Sequence, residues 1–323
     1  MSQPTFTNDA EALKAFETKY KALTQEIGKV IVGQDDVIKN VLIAVFSKGH
    51  CLLVGVPGLA KTLLVNTISD ALGLKFSRIQ FTPDLMPSDI TGAEIIDENR
   101  NFKFVKGPIF ANIILADEIN RTPPKTQAAL LEAMQEKSIT TGGHHFKLEA
   151  PFFVLATQNP IEQEGTYPLP EAQLDRFMLN VWVDYPSFEE ELAIVKNTTG
   201  NKKVSVNHIL NGEEIVFYQD LIRKIPVADN VVEYAVKLAS NTRPNNPNAP
   251  EIIKEYISWG AGPRASQNLI IGAKTHAAMN GKFSPDIEDV KAVAHPILRH
   301  RIVRNFKAEA DGYTLEKIIN ELL

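Results

Sequence analysis

Apolar residues recur at three- and four-residue steps through the first segment: Leu13, Phe16, Tyr20, Leu23 and Ile27. That spacing places them on one face of a helix. A second amphipathic helix is predicted after Gly33, with Val37, Ile38, Val41, Leu42 and Val45. The pattern then shifts to short apolar runs that end in polar residues: Cys51–Val54, Phe76–Phe81, Asn112–Ala116 and Pro151–Thr157. Helical segments lie between several of them. Such alternation predicts an α/β fold, a mostly parallel sheet buried on both faces by helices. Two hairpins interrupt it. Ala93–Ile96 and Phe102–Val105 flank Asp97-Glu98-Asn99-Arg100-Asn101. Ile139–Thr141 and His145–Leu148 flank Gly142-Gly143, the stronger turn signal. Near Asp184-Tyr185-Pro186 the periodicity becomes helical. Ser187 and Glu190 form a capping box ahead of Phe188, Leu192 and Val195. We expect an α/β domain over residues 1–186, with an insert at 93–105 and a hairpin at 138–148, and a smaller α-helical domain over 187–323.

The first apolar run leads into Gly55-Val56-Pro57-Gly58-Leu59-Ala60-Lys61-Thr62, and Leu63 continues into a predicted helix. Strand, glycine loop, Lys-Thr and helix make a P-loop arrangement. Backbone N–H groups of such a loop, with the positive end of the helix dipole, hold a polyphosphate without reorganising. Lys61 would reach the β- and γ-phosphates, and the Thr62 hydroxyl would ligate Mg²⁺. The pattern has glycine where this chain has Ala60, so a negative φ is expected there. The competing reading is a strand-turn-helix whose glycines serve geometry alone.

The run Asn112–Ala116 ends in Asp117-Glu118. A buried strand accounts for the apolar residues but not for two adjacent carboxylates, which repel and are costly to desolvate. A Mg²⁺-nucleotide in front of the strand accounts for both. Asp117 would hold the metal through water, and Glu118 would act as general base on the attacking water. A solvated acidic pair opening a helix is the alternative. Pro123-Pro124 fit only a loop or first helical turn, and Leu130, Leu131 and Met134 give the next helix its apolar face.

Composition narrows the field little. The 323 residues, 44% hydrophobic and 23% charged, describe an ordinary globular chain with room for a large core. The net charge of −5 gives no electrostatic case for nucleic acid or an anionic membrane. One cysteine excludes an intrachain disulfide framework. The polar start lacks a signal-peptide pattern and no apolar run approaches a membrane span, so a cytoplasmic location is expected. His144 and His145 read as exposed hairpin-tip residues rather than metal ligands. His295, Arg299, His300, Arg301 and Arg304 read as a solvated basic helix face.

Taken together these phrases resemble an AAA+ ATPase of the MoxR family. The resemblance rests on Val30-Ile31-Val32-Gly33-Gln34, Gly55–Thr62, residues 81–92, Leu115–Gln127, Ala156-Thr157-Gln158-Asn159-Pro160 and residues 169–177. It implies an AAA+ domain with a C-terminal helical lid. It implies that Val32, Gly33 and Gln34 lie beside the adenine and that Asn159 is sensor 1. Arg176 resembles the arginine finger, acting in trans on ATP held by a neighbouring subunit. Arg264, in Gly262-Pro263-Arg264, resembles sensor 2, reaching from the lid to the γ-phosphate. Residue by residue, simpler readings remain: an Asn-Pro turn, a salt bridge of Arg176 to Asp175 or Glu171, and helix-start geometry for Arg264. Ala before Lys-Thr is common in this family.

The expected function is Mg²⁺-dependent ATP hydrolysis by a homo-oligomeric ring, hexameric by resemblance, coupled to remodelling of a partner protein. A partner carrying a von Willebrand factor A domain fits the resemblance. A subunit of a metal chelatase is a close alternative. A nucleic-acid motor is a more distant one, opposed by the acidic charge and by a 142–148 hairpin with only Lys147 as a fixed positive charge. A binding switch with little turnover is opposed by Glu118.

Overall fold

The structure is a computed structural model and describes residues 6–323 except 97, 99, 163 and 201–204. Asp97 and Asn99, in the expected first hairpin turn, therefore lie outside the described residues.

The strands are β1 (Cys51–Val54), β2 (Phe76–Gln80), β3 (Gly92–Ile96), β4 (Phe102–Lys106), β5 (Ile113–Asp117), β6 (Ser138–Thr141), β7 (His144–Lys147), β8 (Phe153–Gln158), β9 (Leu179–Trp182), β10 (Ile257–Trp259) and β11 (Val303–Arg304). The helices are α1 (Asp9–Gly28), α2 (Asp35–Phe46), α3 (Lys61–Ala71), α4 (Pro87–Thr91), α5 (Pro124–Glu136), α6 (Glu171–Leu174), α7 (Phe188–Thr198), α8 (Gly212–Lys224), α9 (Asp229–Asn241), α10 (Glu251–Tyr256), α11 (Pro263–Met279), α12 (Ile287–Leu298), α13 (Phe306–Ala310) and α14 (Leu315–Asn320).

One parallel sheet, in the order β2-β5-β8-β1-β9, organises the molecule. Strand side chains alternate between faces, and both faces are covered. Cys51 and Leu53 of β1, Ile113 and Leu115 of β5, and Phe153 and Leu155 of β8 enter a core shared with α1, α2, α3, α8, α9, α11 and α12. Leu52, Ile114, Ala116, Val154 and Ala156 point the other way, into a second core with Leu130, Leu131 and Met134 of α5. This is why the strands read as continuous apolar runs. The apolar sequence pattern did not mark β9. It lies at the edge of the sheet, parallel to β1, with Cys51 opposite Leu179.

From α7 onward the chain is helical apart from the short β10–β11 ladder. These helices pack onto the sheet domain through α1 and α2. The Ser47 and Thr275 hydroxyls hydrogen-bond at 2.7 Å in the buried seam between α2 and α11, and Gln219 Nε2 donates to the Val45 carbonyl at 2.6 Å. The Ser187–Glu190 capping box forms, but α7 buries none of its residues, and Phe188, Leu192 and Val195 are exposed.

Candidate nucleotide site

β1 ends at Val54 and the chain loops through Gly55–Ala60 before α3 begins at Lys61. The loop is pressed against the sheet: Gly55 N–H donates to the Gln158 carbonyl at 3.2 Å. A side chain at Gly55 would meet the Val183 carbonyl oxygen at 2.6 Å, so no other residue fits there. The expected negative φ at Ala60 is overturned. Ala60 is the N-cap of α3 with φ 52° and ψ 26°, in the left-handed region. The chain must reverse at this point to aim the first α3 N–H groups back into the loop, which is why the pattern has glycine here.

Pro57–Thr62, Asp117, Glu118, Thr157 and Asn159 line one cavity of about 340 Å³. Lys61 Nζ donates to the Gly55 and Val56 carbonyls. Burial pulls its ammonium below the usual lysine range, opposed by the charges of Asp117 and Glu118. Val56 packs on the core and Leu63 is exposed, so both flank the cavity rather than face it. Gln34 Nε2 donates to the Leu59 carbonyl at 3.2 Å, which brings the Val32-Gly33-Gln34 segment against the phosphate loop.

The two carboxylates are held differently. Thr157 Oγ1 donates to Asp117 Oδ1 at 2.6 Å, and Arg78 donates to Asp117 Oδ2 through Nη2 at 2.7 Å and Nε at 3.1 Å. Glu118 has φ 58°, also left-handed, and its N–H donates to Thr157 Oγ1 at 2.8 Å. Gln80 Nε2 and Arg121 Nη1 both donate to Glu118 Oε2, at 2.8 and 3.1 Å. Arg78, Gln80, Arg121 and Thr157 were missed by sequence reasoning. Their signal lies in register: β2 pairs with β5 so that Gln80 stands opposite Asp117, and Arg78 is two residues away on the same face. Asn159 is buried, and its Oδ1 accepts from Ile161 N–H at 3.1 Å, so it serves the turn as well as lining the cavity. A hydroxyl from Thr62 and a carboxylate from Asp117 form an all-oxygen donor set that fits Mg²⁺, an ion that keeps several waters and takes the rest of its shell from phosphates.

Arg176 and Arg264 lie elsewhere. They share a cavity of about 240 Å³ with His50, Lys48 and Lys137. The Met178 N–H, two residues past Arg176, donates to the carbonyl of His50, the residue before β1. Arg176 therefore sits where the parallel strands begin, and the phosphate loop sits where β1 ends, four residues or about 13 Å further along. Asp175 pairs with Arg264, whose Nη1 lies 2.9 Å from its Oδ2, and with Arg301, whose Nε lies 2.7 Å from its Oδ1. The competing reading of Arg176, a salt bridge to Asp175 or Glu171, does not form, since Asp175 is taken by Arg264 and Arg301, and within one chain Arg264 is not brought to the phosphate loop.

The expected solvated basic face is also overturned. His300 and Arg301 follow the end of α12 and are buried. Arg299 stacks on Trp182, 4.7 Å from the ring centre. Burial and the neighbouring Arg301 hold His300 well below the usual histidine range. Burial also lowers the Arg301 guanidinium to about 10, with Asp175 pulling the other way.

Residues 50–179 match the ATPase family associated with various cellular activities, and residues 249–322 match the AAA lid domain. The chain is 43% identical to the chaperone MoxR1 of Mycobacterium tuberculosis, across 97% of this chain and 83% of that one. The chain belongs to the MoxR family of AAA ATPases. It is also 28% identical to protein MoxR of Methylorubrum extorquens, over 86% of this chain and 85% of that one. The crystal structure of a candidate ATPase from Cytophaga hutchinsonii superimposes with a TM-score of 0.91 at 44% identity, covering 96% of this chain and 94% of the other. As a MoxR-type ATPase the chain binds and hydrolyses nucleotide, and the AAA match spans the loop, Asp117-Glu118, Asn159 and Arg176. No helix among the described residues is long and apolar enough to cross a membrane.

Proposed function

We propose that this ATPase acts as a Mg²⁺-dependent homo-oligomeric ring that hydrolyses ATP at sites shared between neighbouring copies. The separation of the two ends of the sheet carries this reading. The phosphate loop, Asp117 and Glu118 lie at one end, and Arg176 and Arg264 lie at the other, lining a separate cavity. Arginines placed there suit a nucleotide held by a second copy, because a guanidinium stays charged and grips phosphate oxygens with two parallel N–H groups. Within each copy the α3 N-terminus and Lys61 hold the phosphates. Thr62 and Asp117 hold Mg²⁺, whose chemistry is to neutralise charge on the phosphoryl oxygens. Glu118, steadied by Gln80 and Arg121, takes the proton of the attacking water. The domain division near Pro186 belongs to this reading, with residues 187–323 as the lid.

The coupled work is remodelling of a protein partner, consistent with the chaperone name of a 43%-identical relative. The β3–β4 hairpin presents Ile96 and Phe102, 64% and 75% exposed, as a contact for it. A partner with a von Willebrand factor A domain fits the family resemblance.

Three variants test the reading. Glu118→Gln should bind ATP and lose turnover, and Lys61→Ala should weaken binding itself. A mixture of Glu118→Gln and Arg176→Ala chains should hydrolyse ATP faster than either alone, because the first lends its Arg176 to the intact site of the second. Equal specific activity in dilute monomer and concentrated protein would defeat the shared-site proposal.

A further inference from the structure

The run at residues 299–301, which reads in sequence as a surface feature, grips the segment that carries Arg176. Arg301 uses its whole guanidinium. Nε donates to Asp175 Oδ1 at 2.7 Å. Nη2 donates to the Asp175 and Phe177 carbonyls at 3.1 and 2.7 Å, and Nη1 donates to the Met178 carbonyl at 3.1 Å and back to the Ile297 carbonyl of α12. His300 Nε2 donates to the Phe177 carbonyl at 2.9 Å. Arg264, at the start of α11, takes the second oxygen of Asp175. The carbonyls on both sides of Arg176 are thus bound to the helical lid, while the Met178 N–H and the buried Phe177 ring hold the same turn to the sheet domain. A buried arginine is costly to desolvate. A purely structural turn could be closed by ordinary backbone bonds, so five donor atoms converging on the residues around one half-buried arginine call for another account.

We propose that Arg301 is a positioning residue for hydrolysis: it ties the turn Asp175–Met178 to the lid, so that the lid sets where Arg176 points towards the nucleotide of the neighbouring copy. This inference rests on the shared-site reading above. The turn then bridges sheet and lid, so displacement of the lid in one copy shifts Arg176 and alters catalysis in the next. Lysine at 301 keeps the charge opposite Asp175 but has no fork to span the carbonyls. A finger misplaced by about 1 Å is expected to lose roughly 10²-fold in rate.

The mixing assay separates the outcomes. Arg301→Lys is placed either on the Glu118→Gln chain, which lends Arg176, or on the Arg176→Ala chain, which holds the working nucleotide. We expect kcat of the mixture to fall about 10- to 100-fold in the first arrangement, with KM and binding of a fluorescent ATP analogue unchanged. In the second arrangement kcat should stay near that of the parent mixture. An equal loss in both arrangements, a loss only in the second, or no loss overturns the proposal. An inactive parent mixture defeats the shared-site reading, and this inference with it. If Arg301→Lys does not fold, Asp175→Asn on the lending chain weakens the same contact, and it is read against Arg264→Ala on that chain because Asp175 also holds Arg264: a loss no larger than that of Arg264→Ala overturns the proposal.

Discussion

Ala60 holds a left-handed backbone at φ 52° in the loop after β1, and Glu118 does so at φ 58° in the lining of the same cavity. Each costs about 1–2 kcal/mol relative to a right-handed conformation. Residues at active sites hold such strain where their surroundings fix it. At Ala60 the fixed points are Gly55, pinned by Val183, and the α3 start. Glycine removes the strain but adds about 0.4–1 kcal/mol of unfolded-state entropy. Ala60→Gly should therefore gain up to about 1 kcal/mol of stability, read as a higher urea midpoint, with nucleotide affinity retained. A lower midpoint would show that the methyl contributes packing that outweighs its strain. Asp117 and Glu118 stood out in sequence because two acids closing an apolar run have no packing reason. Thr157 did not, because a threonine inside a β-strand is unremarkable. Only the pairing of β5 with β8 places its hydroxyl between Asp117 Oδ1 and the Glu118 N–H.

The two hairpins are packed together. Phe104 of β4 stacks on Phe146 of β7 with ring centres 4.5 Å apart and planes 16° apart, and Phe110 meets each edge-on at 6.0 Å. Such pairs contribute about 0.5–1.5 kcal/mol beyond buried area. A double-mutant cycle on Phe104→Ala and Phe146→Ala should yield a coupling energy in that range, measured by denaturant unfolding. Strictly additive losses would mean that the hairpins are independent. The β3–β4 ladder forms between the two expected strands, and β6–β7 turns at Gly142-Gly143 as expected, with Thr141 opposite His144. Their association was not legible, since nothing in local periodicity says that residues forty apart will stack. The same limit hid β9, whose Asn180 and exposed Trp182 break the apolar run that marked the central strands. It also made a solvated face of His300 and Arg301, whose partners lie more than a hundred residues earlier.

At the scale of the molecule, two buried histidines join distant parts and make the fold sensitive to acid. His50 accepts from Val154 N–H at Nδ1 and donates from Nε2 to the Met134 carbonyl, tying β8 to the end of α5. His300 ties the chain after α12 to Phe177. Burial drives His50 down to about 4 and His300 well below the ordinary value. A histidine depressed in the folded state takes up protons more readily when unfolded. Its contribution is therefore complete above an unfolded value near 6.5 and is lost as pH falls towards the folded value. The slope is about 1.4 kcal/mol per pH unit for each such group, or roughly 2.8 for the pair. Between pH 6.5 and 5.5, before most carboxylates titrate, the slope is still building and stability from urea unfolding should fall by about 2 kcal/mol. His300→Gln keeps a donor towards the Phe177 carbonyl but cannot titrate, so it should remove about half of the slope. A profile that is flat across this window would mean that both rings are protonated in the folded chain, and with His50 charged the Val154 N–H would face a donor in place of an acceptor.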